Sequence, residues 1–373
     1  MIDPTSYLNQ LNAEGNLRRI PTDDASGDMV DLSSNDYLGL AEDMSLREQF
    51  LAQIDASSLL MTSSASRLLA ARQRAYTALE QLLASSYGAD SALLFNSGYH
   101  ANTGLVSAIG SMPSTLIVAD KLVHASIIDG IKLSGATFER FRHNNYSHLE
   151  RILAKQASRF STILLIVESV YSMDGDRAPL RPLVELKRRY GNILLYVDEA
   201  HGVGVCGPAG LGCAAAEGIV GDIDILVGTM GKALASSGAY AIVNRTMREF
   251  IVNRARSLIF STALPPAVAQ WSMLTWRASL EGDSRREQLK KLAEQLALAI
   301  PGGAPSHIRP LIVGDASGTV TLSHTLAAQG FKVLPIRTPT VPPGTERLRF
   351  SLSANIQPEA ITRLTETLRN INI

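Results

Sequence analysis

Two rhythms of apolar and polar residues run along the chain. Between about residues 91 and 245, short and mostly apolar runs stand at 92–95, 115–119, 163–167, 193–197 and 223–227. Runs of this length predict strands buried on both faces. Between them, apolar residues three and four apart predict amphipathic helices. The alternation predicts an α/β fold with a mainly parallel sheet covered by helices. After the pair Pro265 and Pro266 the rhythm changes to a helical stretch reaching Ile300, broken by PGGAPS (301–306). Beyond it, strands are predicted at about 307–313, 331–336 and 346–352, with helices near 319–329 and 357–370. The expected organisation is an N-terminal arm (1–40), a large domain (41–265) and a smaller C-terminal α/β domain (266–373) that begins with a long linking helix. Within the arm, 1–30 predict an amphipathic helix and an extended segment. Residues 62–88 read mostly as helix, with Tyr76, Leu79, Leu82 and Leu83 at core spacing.

The predicted strands of the large domain share one design at their carboxyl ends. The first is followed by Asn96, Ser97, Gly98, Tyr99 and His100 opening a helix, where backbone amides can bind phosphate and glycine allows close approach. The next are followed by His124, by Glu168 and Ser172, by Asp198 and His201, and by Thr229, Gly231 and Lys232. Taken singly, such an aspartate most often caps a turn, such a histidine is structural, and such a lysine is a solvated charge. Together they fall where open α/β sheets place their ligands. Small residues also surround Lys232 in GKALASSGAY (231–240).

Composition narrows the field further. Lys+Arg and Asp+Glu are both 35, which leaves no net field to draw nucleic acid or an acidic membrane surface. No apolar run approaches the ~20 residues of a membrane span, and MIDPTSYLNQ does not read as a secretory signal. With two cysteines, neither a disulfide framework nor a Cys-rich metal site is expected. These features predict a cytoplasmic globular protein. The letters DEAH (198–201) also occur in nucleotide-driven helicases, but the phosphate loop of such motors is missing. Leu226 stands where its first glycine would be, Ala233 where its hydroxyl would be, and the segment follows the acid.

One cofactor chemistry needs this set together. Pyridoxal phosphate requires a lysine to form a Schiff base with its aldehyde, an acid on its ring nitrogen, and amides with a hydroxyl for its phosphate. Lys232 and Asp198 suit the first two roles; Gly98, Tyr99 and Thr229 suit the third.

The motifs carrying these residues resemble those of the α-oxoamine synthase family of fold-type-I pyridoxal-phosphate enzymes. They are SSNDYLGL (33–40), NSGYHAN (96–102), HASI (124–127), ESVYSMDGDRAPL (168–180), VDEAHGVGVCGPAGLG (197–212), TMGKA (229–233), STALPP (261–266) and VPPGTERLRFSLSA (341–354). The resemblance implies that His124 stacks on the cofactor ring and faces the substrate, and that His201 and Ser172 bond the ring hydroxyl. Thr262 would reach the phosphate held by a neighbouring subunit, which implies a homodimer. Arg349 would clamp an amino-acid carboxylate, with Asn35 and Thr340 near the substrate; Arg347, two residues away on the same strand, would face the same way without that role. Two departures stand out. The family's GSGGSR-like loop is replaced by TSSASRLLAARQRAY (62–76), and Ile356 replaces a histidine that follows the RLR strand.

The implied activity is a decarboxylating condensation of an amino acid with an acyl-CoA or acyl-carrier protein. The expected pair is alanine with a pimeloyl group. The alternatives are glycine with acetyl-CoA, serine with palmitoyl-CoA, or a non-catalytic relative that keeps the cofactor site.

Overall fold

A computed structural model describes residues 3–20, 29–56 and 59–371. The chain opens with α1 (Pro4–Ala13), β1 (Val30–Asp31), α2 (Met44–Gln53) and α3 (Arg74–Tyr87). Next come β2 (Ser91–Phe95), α4 (Gly98–Gly110), β3 (Thr115–Asp120), α5 (Ala125–Ser134), β4 (Thr137–Phe141), β5 (Thr162–Glu168), β6 (Ile193–Asp198), β7 (Ile225–Thr229) and β8 (Ala239–Val243). The last part supplies β9 (Ile308–Ile312), β10 (Phe331–Lys332), β11 (Leu334–Ile336) and β12 (Arg347–Ser351).

These elements divide into two compact units. The larger comprises Leu38–Tyr171 and Arg177–Arg286. The smaller comprises Met1–Tyr37, Ser172–Asp176 and Glu287–Ile373. The expected boundaries at 40 and 265 shift accordingly. The helix Pro266–Leu280 belongs to the larger unit because it buries Ala267, Ala269 and Trp276 there, against α3 among others. The N-terminal residues pair with the C-terminal ones, since β1 runs parallel to β10. The arm is thus part of the smaller unit's framework. Part of it, 21–28, lies outside the described residues.

The larger unit is built on a seven-stranded sheet in the order β2-β8-β7-β6-β5-β3-β4. Only β8 runs against its neighbours. The expected mainly parallel sheet is therefore present, with two strands, β4 and β8, that the apolar pattern did not single out. β3, β5 and β7 are buried along almost their whole length, as continuous apolar runs require when helices cover both faces. On one face α4 and α5 pack closely. A Cβ on Gly130 of α5 would stand 2.9 Å from Val106 and 3.0 Å from the Asn102 carbonyl oxygen, so glycine lets the two helix backbones approach.

The stretch 62–73 is not helical; the helix begins at Arg74. Leu68 and Leu69 are 51% and 78% exposed, so no core holds this stretch as a helix. The segment instead lies on the 262–263 turn. Ser66 bridges to Thr262, the Ala263 amide donates to the Ala65 carbonyl at 2.9 Å, and Ser63 Oγ donates to the Ala263 carbonyl. Ser64 sits at φ 51°, the left-handed region that glycine adopts without cost. Serine keeps that path at a cost of about 1–2 kcal/mol.

The smaller unit contains a three-stranded antiparallel sheet, β11-β12-β9, the helices Ala316–Ala328 and Pro358–Asn370, and the part of the helix Asp283–Ala299 from Glu287 on. β12 is buried at every position, including Arg347 and Arg349. Ile356 is buried as well, at 8% exposure, so an apolar side chain suits its surroundings.

Candidate active site

Strand register brings two carboxylates together. β5 and β6 are parallel neighbours, and Glu168 pairs with Asp198 at their carboxyl ends. Both are nearly inaccessible. Asp198 Oδ1 accepts from the Ala200 amide at 2.9 Å, and Oδ2 accepts from Asn102 Nδ2 at 2.8 Å. The carboxylate is held in one rotation with lone pairs remaining for another donor. Glu168 Oε1 accepts from the His124 amide at 2.5 Å. Burial, and next the charge of Asp198, push the Glu168 carboxyl well above its usual range.

Two residues beyond Ala200, the turn doubles back. The Gly202 and Val203 amides donate to the Glu199 carbonyl at 2.8 and 2.9 Å. Glu199 is itself buried, and its carboxyl accepts from Ser169 Oγ and from the Cys213 and Ala214 amides. This anchored turn presents His201, whose Nε2 lies 2.8 Å from Lys232 Nζ. Lys232 follows β7 in a loop closed by Met230 and Gly238, whose backbones bond at 2.9 Å. An expected cluster of lysine, aspartate and histidines at one sheet edge is present.

His124 caps the N-terminus of α5, with Nδ1 accepting from the Ser126 amide at 3.2 Å. Burial lowers its pKa most. Lys232 adds to that effect, while Asp198 and Asp129 oppose it. The balance favours the neutral imidazole.

At the start of α4 the Ser97 hydroxyl takes the His100 amide at 3.1 Å. The first amides of a helix have no partner within it, so Gly98 and Tyr99 present theirs outward. A Cβ on Gly98 would meet only Thr229, at 3.9 Å. Thr229 Oγ1 donates to the Gly238 carbonyl at 3.2 Å and accepts from the Gly231 amide at 3.3 Å. Helix amides, a bare glycine and a hydroxyl suit a phosphate monoester. A carboxylate at a strand end suits a pyridine nitrogen, and a primary amine suits an aldehyde. These residues fit pyridoxal phosphate.

The remaining predicted residues lie elsewhere. Ser172, Asn35, Thr340 and Arg349 belong to the smaller unit. Arg349 Nε donates to the Ser172 carbonyl at 2.6 Å, and its two terminal nitrogens donate to Asn35 Oδ1 at 3.2 and 3.1 Å. Tyr37 Oη lies 3.4 Å away; burial raises that phenol to about 12. Arg347 reaches the same segment from the same strand, but meets the Asp174 carboxylate at 2.5 Å. Thr340 Oγ1 accepts from Arg18 at 3.1 Å. Thr262, in the larger unit, is exposed, and its carbonyl accepts from Asn96.

Sequence reasoning missed Asn102, Ser126 and Tyr196, which tie the edge together. One signal existed. Asn102 follows Gly98 by four residues and so shares its face of α4.

A family model for aminotransferase class I and II matches residues 27–368. A relative from Pasteurella multocida (strain Pm70), called a putative 8-amino-7-oxononanoate synthase, is 48% identical over 92% of this chain and 90% of its own. The 8-amino-7-oxononanoate synthase of Chlorobaculum parvum is 45% identical with the same coverage. Among solved structures, the serine palmitoyltransferase of S. paucimobilis with a bound PLP–myriocin adduct gives a TM-score of 0.88 at 26% identity, covering 99% of this chain and 97% of that one. The 8-amino-7-oxononanoate synthase of Francisella tularensis gives 0.76 at 27% identity, covering 94% and 100%.

Proposed function

The chain belongs to the aminotransferase class I and II family of pyridoxal-phosphate enzymes, and from that premise we propose that it is an acyltransferase joining L-alanine to a pimeloyl thioester, with loss of CO2, to give 8-amino-7-oxononanoate for biotin synthesis. The observation that supports this choice within the family is identity. Curated relatives at 44–48% over most of the chain carry that name, whereas the serine palmitoyltransferase structures stand at 26–28%. The glycine and acetyl-CoA pairing, that of 2-amino-3-ketobutyrate CoA ligase, and a non-catalytic role have no comparable support.

When bound, pyridoxal phosphate supplies an aldehyde for amines and an electron-withdrawing ring that stabilises negative charge on the amino acid's α carbon. Lys232 Nζ is the amine that holds the aldehyde. Asp198 would keep a proton on the ring nitrogen; its carboxylate is held by Asn102 and the Ala200 amide. The amides of Gly98 and Tyr99, with Thr229, hold the phosphate at the start of α4; His201 and Ser172 take the ring hydroxyl. Arg349 binds the amino-acid carboxylate, for which its fork is shaped, with Asn35 and Thr340 close to the substrate. Lys232 Nζ, when not holding the aldehyde, would be the base that removes the α proton. His124 would polarise the thioester carbonyl as the α carbon attacks; CoA or the carrier thiol leaves, CO2 departs, and the carbon it leaves takes up one proton to give the aminoketone. A homodimer in which Thr262 reaches the other subunit's phosphate, and a cytoplasmic location, belong to the same proposal. Among the described residues no helix is long and apolar enough to cross a membrane.

The test is a thioester-cleavage matrix of alanine, glycine and serine against pimeloyl-, acetyl- and palmitoyl-CoA, with pimeloyl-carrier protein added. Alanine with a pimeloyl donor is expected to give the highest kcat/KM. A preference for another pair reassigns the enzyme within the family, and turnover of none leaves the non-catalytic reading.

A further inference from the structure

Asn102 joins the two halves of the buried network. Its Oδ1 lies 2.6 Å from the Tyr196 hydroxyl, and its Nδ2 lies 2.8 Å from Asp198 Oδ2 and 2.9 Å from Ser126 Oγ. The reverse amide orientation would set Oδ1 against a carboxylate oxygen, acceptor against acceptor. Tyr196 therefore donates to Oδ1, and both hydrogens on Nδ2 are used. Ser126 Oγ accepts one of them, so its own hydrogen points to His124 Nδ1, 2.7 Å away. The Ser126 backbone amide meets the same nitrogen at 3.2 Å. A backbone amide can only donate, so Nδ1 carries no proton, and in a neutral ring the proton sits on Nε2. Every donor in the chain from Tyr196 to His124 points the same way.

We propose that Asn102 is a positioning residue with two outputs: it fixes the rotation of the Asp198 carboxylate, and by orienting the Ser126 hydroxyl it reinforces the Nε2–H tautomer of His124 that the Ser126 amide also favours. His124 then meets a substrate carbonyl as a hydrogen-bond donor and does not serve as a base, which assigns the α proton to Lys232. The close α4–α5 approach allowed by Gly130 brings Ser126 within reach of Asn102. The mechanistic half of this inference rests on the condensation reading; the tautomer does not.

The experiment is two-bond 1H–15N correlation of histidine rings in the 15N-labelled apoprotein, with His124 assigned through His124→Gln. Wild type is expected to show the Nε2–H pattern at neutral pH; an Nδ1–H pattern overturns the proposal without any variant. Asn102→Asp keeps the shape but turns a donor into an acceptor. The Ser126 hydroxyl would then turn toward Asp198's new neighbour and away from Nδ1. Population of Nδ1–H is expected to rise, with kcat falling on the order of 10- to 100-fold while the amino-acid KM changes by less than about threefold. A folded Asn102→Asp protein with an unchanged ring pattern overturns the proposal. If that variant does not fold, Ser126→Ala, which removes one of the two donors to Nδ1, must blur the ring pattern and lower kcat; no change in either has the same consequence. An inactive wild type with the Nε2–H pattern would uphold the wiring and remove the condensation reading.

Discussion

The larger unit's sheet edge and the smaller unit's β12 hold their functional groups by different means. At the sheet edge the polar side chains hold one another. Tyr196, Asn102, Asp198, Ser126 and His124 form one hydrogen-bonded chain, and His201 meets Lys232. On β12 two buried arginines two residues apart have opposite fates. Arg347 is neutralised by Asp174, whereas Arg349 is held by a carbonyl, an amide oxygen and a phenol, none of them charged. Among the described residues no carboxylate lies within ion-pair distance of Arg349. A networked edge suits a rigid ring that must adopt one pose. An arginine aimed by neutral acceptors keeps its charge for a ligand, because a buried cation gains most from an incoming carboxylate.

The comparison can be broken first at Asp198. Asp198→Asn keeps a hydrogen-bonding side chain but cannot hold a proton on a ring nitrogen, so kcat should fall by about 10³-fold with cofactor still bound. Turnover near wild type would reduce Asp198 to a cap for the turn at Ala200.

The paired arginines sharpen it next. Arg349→Ala should raise the amino-acid KM roughly 30- to 1,000-fold, equivalent to about 2–4 kcal/mol, and leave the cofactor spectrum unchanged. Arg347→Ala should leave that KM alone and cost about 1–3 kcal/mol in denaturant unfolding, since it strands a partly exposed Asp174. The reverse pattern would show that the unneutralised arginine is not the clamp.

The smallest effect concerns Glu168. Its folded-state pKa is raised, so between its unfolded value and that raised value the folded protein binds the extra proton. Stability of the apoprotein should therefore fall as pH rises through this window. Glu168→Gln keeps an acceptor for the His124 amide and removes the titration, so the variant should gain on wild type as pH rises from 4 to 8. A constant difference across that range would mean that Glu168 stays ionised in the fold.

Much of the edge was legible because buried parallel strands need unbroken apolar runs, and the residues ending them can be counted off. Thus Asp198, Lys232, His124 and Gly98 were found from spacing. β4 was hidden because TFERF is a largely exposed edge strand, and β8 because its apolar run continues the small residues around Lys232. The helical reading of 62–88 held from Arg74 on, where the spaced apolar residues lie, and failed over 62–73, where Leu68 and Leu69 are exposed. Asn102 could not be assigned its partner. Its bond to Asp198 spans 96 positions and exists only once α4 lies on the sheet. The different fates of Arg347 and Arg349 depend likewise on Asp174, which no strand period places.

The central claim is that the amine beside His201 is the one that holds the cofactor. Borohydride reduction of the cofactor-loaded protein, followed by peptide mapping, tests it directly. A single pyridoxyl-lysine is expected at Lys232, with no visible absorption band in Lys232→Ala. A reduced adduct on any other lysine, or an unchanged band in Lys232→Ala, would contradict it.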